Sequence, residues 1–179
     1  MRVMGGIVNF CEERVDPSLL VEMKKAVEGL GGKKWRADIY GRVGLFFGGD
    51  LDRPCEYSGG EGRIALILDG ELEGLEGSSD KELCDYVAKE YSSEGEGFLH
   101  GLRGSFALIL FDEGRGKIII ARSEGRRTPF YYCLTESSLA FADSMAGLTP
   151  VLEDTDNAKE LDSGSAAVIS FGKFELLNF

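Results

Sequence analysis

Residues 102–132, LRGSFALILFDEGRGKIIIARSEGRRTPFYY, decide the fold. Two strongly apolar runs, residues 106–111 and 117–121, flank Asp112-Glu113-Gly114-Arg115-Gly116. Both runs are short and rich in β-branched and aromatic side chains, which marks strands, and the intervening glycines permit the tight reversal of an antiparallel hairpin. Neither strand alternates apolar with polar residues, as a strand with one wet face would. Both faces of the hairpin are therefore predicted to be covered, with the sheet between two other layers.

Outward from the hairpin, residues 3–10 read as a strand. Asp16-Pro17 opens a helix, Asp as N-cap and Pro at the first helical position, and Leu19, Leu20, Met23, Val27 and Leu30 recur at helical spacing before Gly31-Gly32 stops it. A second helix opens at the capping box Ser79-x-x-Glu82 and runs through Leu83, Tyr86, Val87, Glu90 and Tyr91. Both apolar stripes are expected to be core faces. Further strands are predicted over residues 37–40, 43–47, 64–69, 130–134, 139–142, 166–170 and 173–177, the last pair turning at Phe171-Gly172. Residues 58–62, 92–97 and 153–159 are expected to be loops, and residues 98–102 a short helical turn. Many short strands and few helices give an α+β protein, and doubly covered antiparallel sheets fit a four-layer αββα sandwich.

A chain of 179 residues is long enough to bury roughly two thirds of its unfolded surface. No apolar run approaches the roughly 20 residues of a membrane helix, and the first residues, Met1-Arg2-Val3-Met4, are no signal peptide. No membrane association and a cytoplasmic location are expected. With 20 basic and 31 acidic residues the formal charge is −11, which repels polyanions, so no nucleic acid is expected as a partner. Cys11, Cys55, Cys84 and Cys133 show neither zinc-site nor disulfide spacing and read as buried free thiols. The single histidine, His100, leaves no histidine-based triad or multi-histidine metal site, and it reads as a surface or capping residue. Neither metal nor cofactor is expected.

Residues 102–132 resemble the glutamine-hydrolysing domain of class II glutamine amidotransferases, the asparagine synthetase branch in particular. In that family a Gly-x-Phe-Ala strand ending in Asp leads to a hairpin, an Ala-Arg pair and Gly-x-x-Pro-x-Tyr-Tyr. The counterparts here are Gly104, Phe106, Ala107, Asp112, Ala121, Arg122, Gly125, Pro129, Tyr131 and Tyr132, with one extra residue between Gly125 and Pro129. Phe141-Ala142-Asp143-Ser144 resembles the family's turn into a short helix, and Leu161-Asp162-Ser163-Gly164 its turn before the last hairpin. The resemblance spans nearly the whole chain. It implies the N-terminal nucleophile hydrolase-like form of the αββα sandwich, with residues 1–179 a single glutamine amidotransferase type 2-like domain.

The resemblance also implies where chemistry should lie. In the family a cysteine after the initiator methionine supplies the thiolate and its own α-amine the base. Here Met4-Gly5-Gly6-Ile7 stands in that place, so the nucleophile position holds Gly5, the α-amine belongs to Met1, and no catalytic residue is expected; Cys11 lacks the family's context. The family's Asn-Gly-Glu oxyanion motif is Asp69-Gly70-Glu71 here. An ionised Asp69 donates no hydrogen bond, and loss of one oxyanion donor costs on the order of a hundred- to a thousandfold in rate. Glu71 and Asp80 match the family's acidic ligand-binding positions, and Arg36 the carboxylate-binding arginine shifted by one residue, which reverses its face on a strand. Asp80 reads equally as a helix N-terminal carboxylate favoured by the dipole, and Asp69 and Glu71 as a turn at a strand end. Arg122, Arg126 and Arg127 form a basic cluster expected to neutralise nearby carboxylates.

Three readings remain open from sequence. The first is a non-catalytic binding or subunit-interaction module whose partner is a small amino acid or a separate synthetase-type subunit. The second is an amidotransferase component that hydrolyses an amide by a non-cysteine route through Asp69 or Glu71, and the third a structural homo-oligomer with a closed pocket.

Overall fold

A computed structural model of the chain describes residues 2–30, 34–49, 55–59, 62–170 and 172–179. Met1, the expected helix stop at Gly31-Gly32, Gly60-Glu61 of the expected loop and Phe171 of the expected final turn lie outside the described residues. The chain forms two compact units, Met1–Arg53 with Thr128–Leu161 and Pro54–Arg127 with Asp162–Phe179. Each is built on one six-stranded, wholly antiparallel sheet.

The first unit holds β1 (Val3–Asn9), α1 (Pro17–Val27), β2 (Lys34–Tyr40), β3 (Val43–Gly49), β8 (Tyr131–Leu134), β9 (Ser138–Ala142), α3 (Met145–Leu148) and β10 (Ala158–Glu160). Its strand order is β10-β8-β9-β1-β3-β2, so β1 is central and paired on both edges. Asp16 caps α1 as expected, its carboxylate accepting from Ser18 N–H at 2.8 Å, with Pro17 in the first turn. The helix buries Leu20, Met23 and Val27 against Val3, Ile7, Phe46, Ala142 and Leu148. Leu30 does not extend this core face: the helix ends at Val27, and Leu30 is 45% exposed.

The second unit holds β4 (Cys55–Gly59), β5 (Gly62–Leu72), α2 (Asp80–Glu94), β6 (Gly104–Asp112), β7 (Lys117–Arg122), β11 (Ser165–Ser170) and β12 (Lys173–Asn178), in the order β12-β11-β7-β6-β5-β4. The β6–β7 hairpin forms as read, with residues 106–112 and 118–122 buried whichever face they point to. Ser79 caps α2 in a complete capping box with Glu82. The face of α2 carrying Leu83, Cys84, Val87 and Tyr91 packs on Leu66, Leu68, Leu72, Leu108 and Leu110; Tyr86 of the predicted stripe is instead 37% exposed.

Three expected loops are corrected. Residues 92–97 continue α2 to Glu94 and then a 3-10 helix, Gly95–Gly101. Packing overrides their polar composition: Tyr91 before them and Phe98 and Leu99 after them enter the same core, with the Tyr91 and Phe98 rings edge to face at 5.6 Å. Of residues 58–62, Ser58 and Gly59 end β4 and Gly62 begins β5, Gly59 pairing with Gly62. That edge strand lacks an apolar run and owes its conformation to its ladder with β5. Residues 153–159 include a 3-10 turn, Thr155–Asn157, and lead into β10, whose three residues pair with Tyr131–Cys133 of β8.

Candidate functional site

Gly5 lies in mid-β1, opposite Phe46 of β3 on one side and Ala142 of β9 on the other. A Cβ built there would stand 2.5 Å from Phe46 Cζ, 2.6 Å from Phe141 O and 2.9 Å from Ala142 Cβ. Real carbon contacts are longer, so the site admits no side chain unless a ring or a paired strand moves. Val3 and Met4 precede it within the strand and are buried. Met4 N–H donates to Asp143 Oδ2 at 3.1 Å, and Asp143 N–H donates back to Met4 O at 3.0 Å. The Asp143 clasp fixes this end of β1 to the turn that leads into α3.

Asp69, Gly70 and Glu71 lie near the end of β5, opposite Ala107, Phe106 and Ser105 of β6. Alternation puts Leu68 and Leu72 on the face covered by α2 and sends Asp69 and Glu71 to the other. Gly70, at φ 133°, leaves its Cβ direction occupied by the Ser105 carbonyl, so glycine is required there. Asp69 is engaged by Arg126: Nη2 forms an ion pair with Asp69 Oδ2, and Nη1 donates to the Asp69 carbonyl at 3.3 Å. The two side chains are only 13% and 16% exposed. Arg126 O in turn accepts from Nε of the buried Arg122 at 3.3 Å. The basic cluster thus neutralises a carboxylate as expected, and Arg126, in the lengthened segment between Gly125 and Pro129, is the functional-site residue whose partner sequence did not identify. Glu71 is exposed.

The other candidates stand apart along the chain's elements. Asp80 is the first residue of α2, half-buried, at the helix end where a carboxylate is favoured by the dipole. Arg36 is exposed on β2, opposite Phe47, whereas its neighbour Trp35 packs over Gly48 and reaches the α1 core. His100 is exposed in the 3-10 helix and its carbonyl accepts from Arg103 Nη1 at 3.0 Å. Of the four thiols expected to be buried, Cys84 and Cys133 are; Cys55 is half-buried and Cys11 exposed, since Cys11 follows the end of β1 in a turn. Among the described residues no group of three or more His, Cys, Asp or Glu is placed to hold a metal ion, and no helix is long and apolar enough to cross a membrane.

Within the second unit a cavity of about 490 Å³ is lined by Glu73, Arg103, Gly104, Ser123, Glu124 and Phe179, among others. It lies beyond the end of β5, where Glu73 N–H donates to Arg103 O at 2.9 Å. Its floor is ordered by the buried Ser123, whose Oγ accepts from Phe106 N–H at 2.9 Å. Neither Asp69, Glu71 nor Asp80 lines it.

A glutamine amidotransferase domain family matches residues 61–150, half of the chain, and the chain belongs to that family, of the class II type. Among curated relatives, an amidase chry2 of Gibberella zeae is 32% identical over 95 residues, covering 46% of this chain and 14% of that protein. A glutamine-hydrolysing asparagine synthetase 2 of Bacillus subtilis is 23% identical over 97 residues, covering 49% of this chain and 13% of its own length. The matched stretch spans about half of this chain and about a seventh of the length of either relative. Among solved structures, glutamine phosphoribosylpyrophosphate amidotransferase from B. subtilis, complexed with ADP and GMP, superimposes on 99% of this chain and 49% of its own with a TM-score of 0.72 at 15% identity. The α+β, N-terminal nucleophile hydrolase-like fold expected from sequence is the fold of this protein.

Proposed function

We propose that this domain has lost cysteine-dependent glutaminase chemistry and serves as a binding or subunit-interaction module. The observation that carries the reading is Gly5, a residue without a side chain in a position where Phe46, Phe141 and Ala142 leave room for none. While Val3 and Met4 precede it, Gly5 also carries no α-amine to act as base. At the position that matches the family's oxyanion asparagine, Asp69 brings a negative charge already engaged by Arg126. Its carboxylate is held in that ion pair and little exposed, which weighs against hydrolysis through Asp69.

The proposed partner is a small amino acid or a separate synthetase-type subunit. Asp80 and Glu71 suit an α-ammonium group, and the second unit's cavity presents both acidic (Glu73, Glu124) and basic (Arg103) residues. The test is direct: purified protein incubated with glutamine is assayed for glutamate, with no release expected, and sustained turnover refutes the reading. Calorimetry with glutamine, asparagine, glutamate and aspartate then separates a ligand-binding module from one that engages only a protein partner.

A further inference from the structure

Cys55 and Cys84 are 29 positions apart in sequence, yet the fold brings them together. Cys55 opens the edge strand β4, where it pairs with Leu66 of β5 and so shares the face covered by α2. Its Sγ lies 4.0 Å from the carbonyl oxygen of Asp80, in the first turn of α2. In an α-helix that carbonyl accepts the amide of residue 84, and the Cα–Cβ bond of residue 84 leans towards the same turn. Cys84 belongs to the buried core against which Cys55 packs.

We propose that Cys55 and Cys84 are a redox-active thiol pair that closes to a disulfide under peroxide, clamping β4 to the N-terminal turn of α2. The division of labour follows from exposure. Cys55 is half-buried at a sheet edge and reachable by a small oxidant, while Cys84 is 2% exposed and needs only to reach Cys55. Interaction with Cys84 lowers the Cys55 thiol from its ordinary value despite burial, Tyr57 and then Lys81 adding smaller pushes against Asp85, whereas Cys84 is raised by its interaction with Cys55 and by burial. The Cys55 thiolate attacks one peroxide oxygen, the O–O bond breaks, and hydroxide leaves to give the sulfenic acid. The hydroxide takes the Cys84 proton as water; the Cys84 sulfur then attacks the Cys55 sulfur, and the expelled hydroxide takes the proton first lost by Cys55, giving a second water. Two thiols and one hydrogen peroxide thus become one disulfide and two waters. No third ligand among the described residues turns the pair into a metal site.

The test oxidises the folded chain with hydrogen peroxide, alkylates the remaining thiols, and reads intact mass and linked peptides. A monomer lighter by two hydrogens is expected, with Cys55 joined to Cys84, Cys11 alkylated and reduction by dithiothreitol complete. The linked protein should melt at a higher temperature than the reduced one, because a cross-link restricts the unfolded chain. Cys55→Ser should abolish the monomeric disulfide, and Cys84→Ala should leave a Cys55 sulfenic acid that dimedone traps. The proposal is overturned if Cys55 and Cys84 both stay alkylatable, if oxidation yields only dimers through Cys11, or if the linked protein melts no higher.

Discussion

Replacing Gly5 by alanine adds one methyl group to the centre of a sheet. Its Cβ would stand 2.5 Å from Phe46 Cζ, 2.6 Å from Phe141 O and 2.9 Å from Ala142 Cβ. Phe46 is wholly buried, so its ring has little room to retreat, and Phe141 O belongs to the backbone of the paired strand β9. Overpacking of this kind costs about 1–3 kcal/mol, and the backbone contact puts this site at the upper end. Loss of glycine's freedom in the unfolded chain returns about 0.4–1 kcal/mol, which leaves a net destabilisation of about 2 kcal/mol. For a chain of this size that corresponds to a fall in Tm of about 4–8 °C. Differential scanning calorimetry of wild type and Gly5→Ala measures it. Gly5→Cys should fall at least as far, because Sγ extends beyond Cβ, and it should gain no glutaminase activity. An unchanged Tm in Gly5→Ala, or glutamate production by Gly5→Cys, would show that the pocket opens readily and would refute the packing argument.

The Asp69–Arg126 pair sits mostly out of water, so Arg126→Met should cost about 2–3 kcal/mol by removing a charged hydrogen-bond partner of Asp69. Adding Asp69→Leu should recover much of that loss, because it removes the carboxylate that Arg126→Met deprives of its ion pair; urea denaturation of the two singles and the double gives the cycle. Tyr91→Phe deprives the buried Asp112 of a hydrogen bond of 2.8 Å and should cost about 1–3 kcal/mol in the same assay. Burial first, and the Asp112 hydrogen bond second, push the Tyr91 phenol up. Its contribution is therefore present below the unfolded-state value near about pH 10 and lost as pH rises beyond it, so the alkaline decline in Tm should flatten in Tyr91→Phe. At the acid side, the Ser79 N–H holds the Glu82 carboxyl below its usual range. That support for α2 is present above about pH 4.3 and lost as pH falls, so Glu82→Gln should weaken the acid dependence of helix content measured by circular dichroism.

Much of the scaffold was legible locally. The β6–β7 hairpin and the Asp16 and Ser79 caps follow from neighbouring residues, because turns, caps and strand periodicity are set within a few positions. Sequence also identified the family through an ordered series of short motifs. Tertiary structure decided what no local pattern encodes. It carried helical structure through residues 92–97 into the short turn that sequence placed at residues 98–102, gave β4 and β10 their strand character through pairing, and closed the space around Gly5 with residues 41 and 137 positions away. It also set Arg126 on Asp69 across 57 residues and packed Cys55 on the core that holds Cys84. Each of these depends on long-range contacts formed only when whole sheets and helices pack, so the charge of Asp69 and the glycine at position 5 acquire their consequences only in the folded chain.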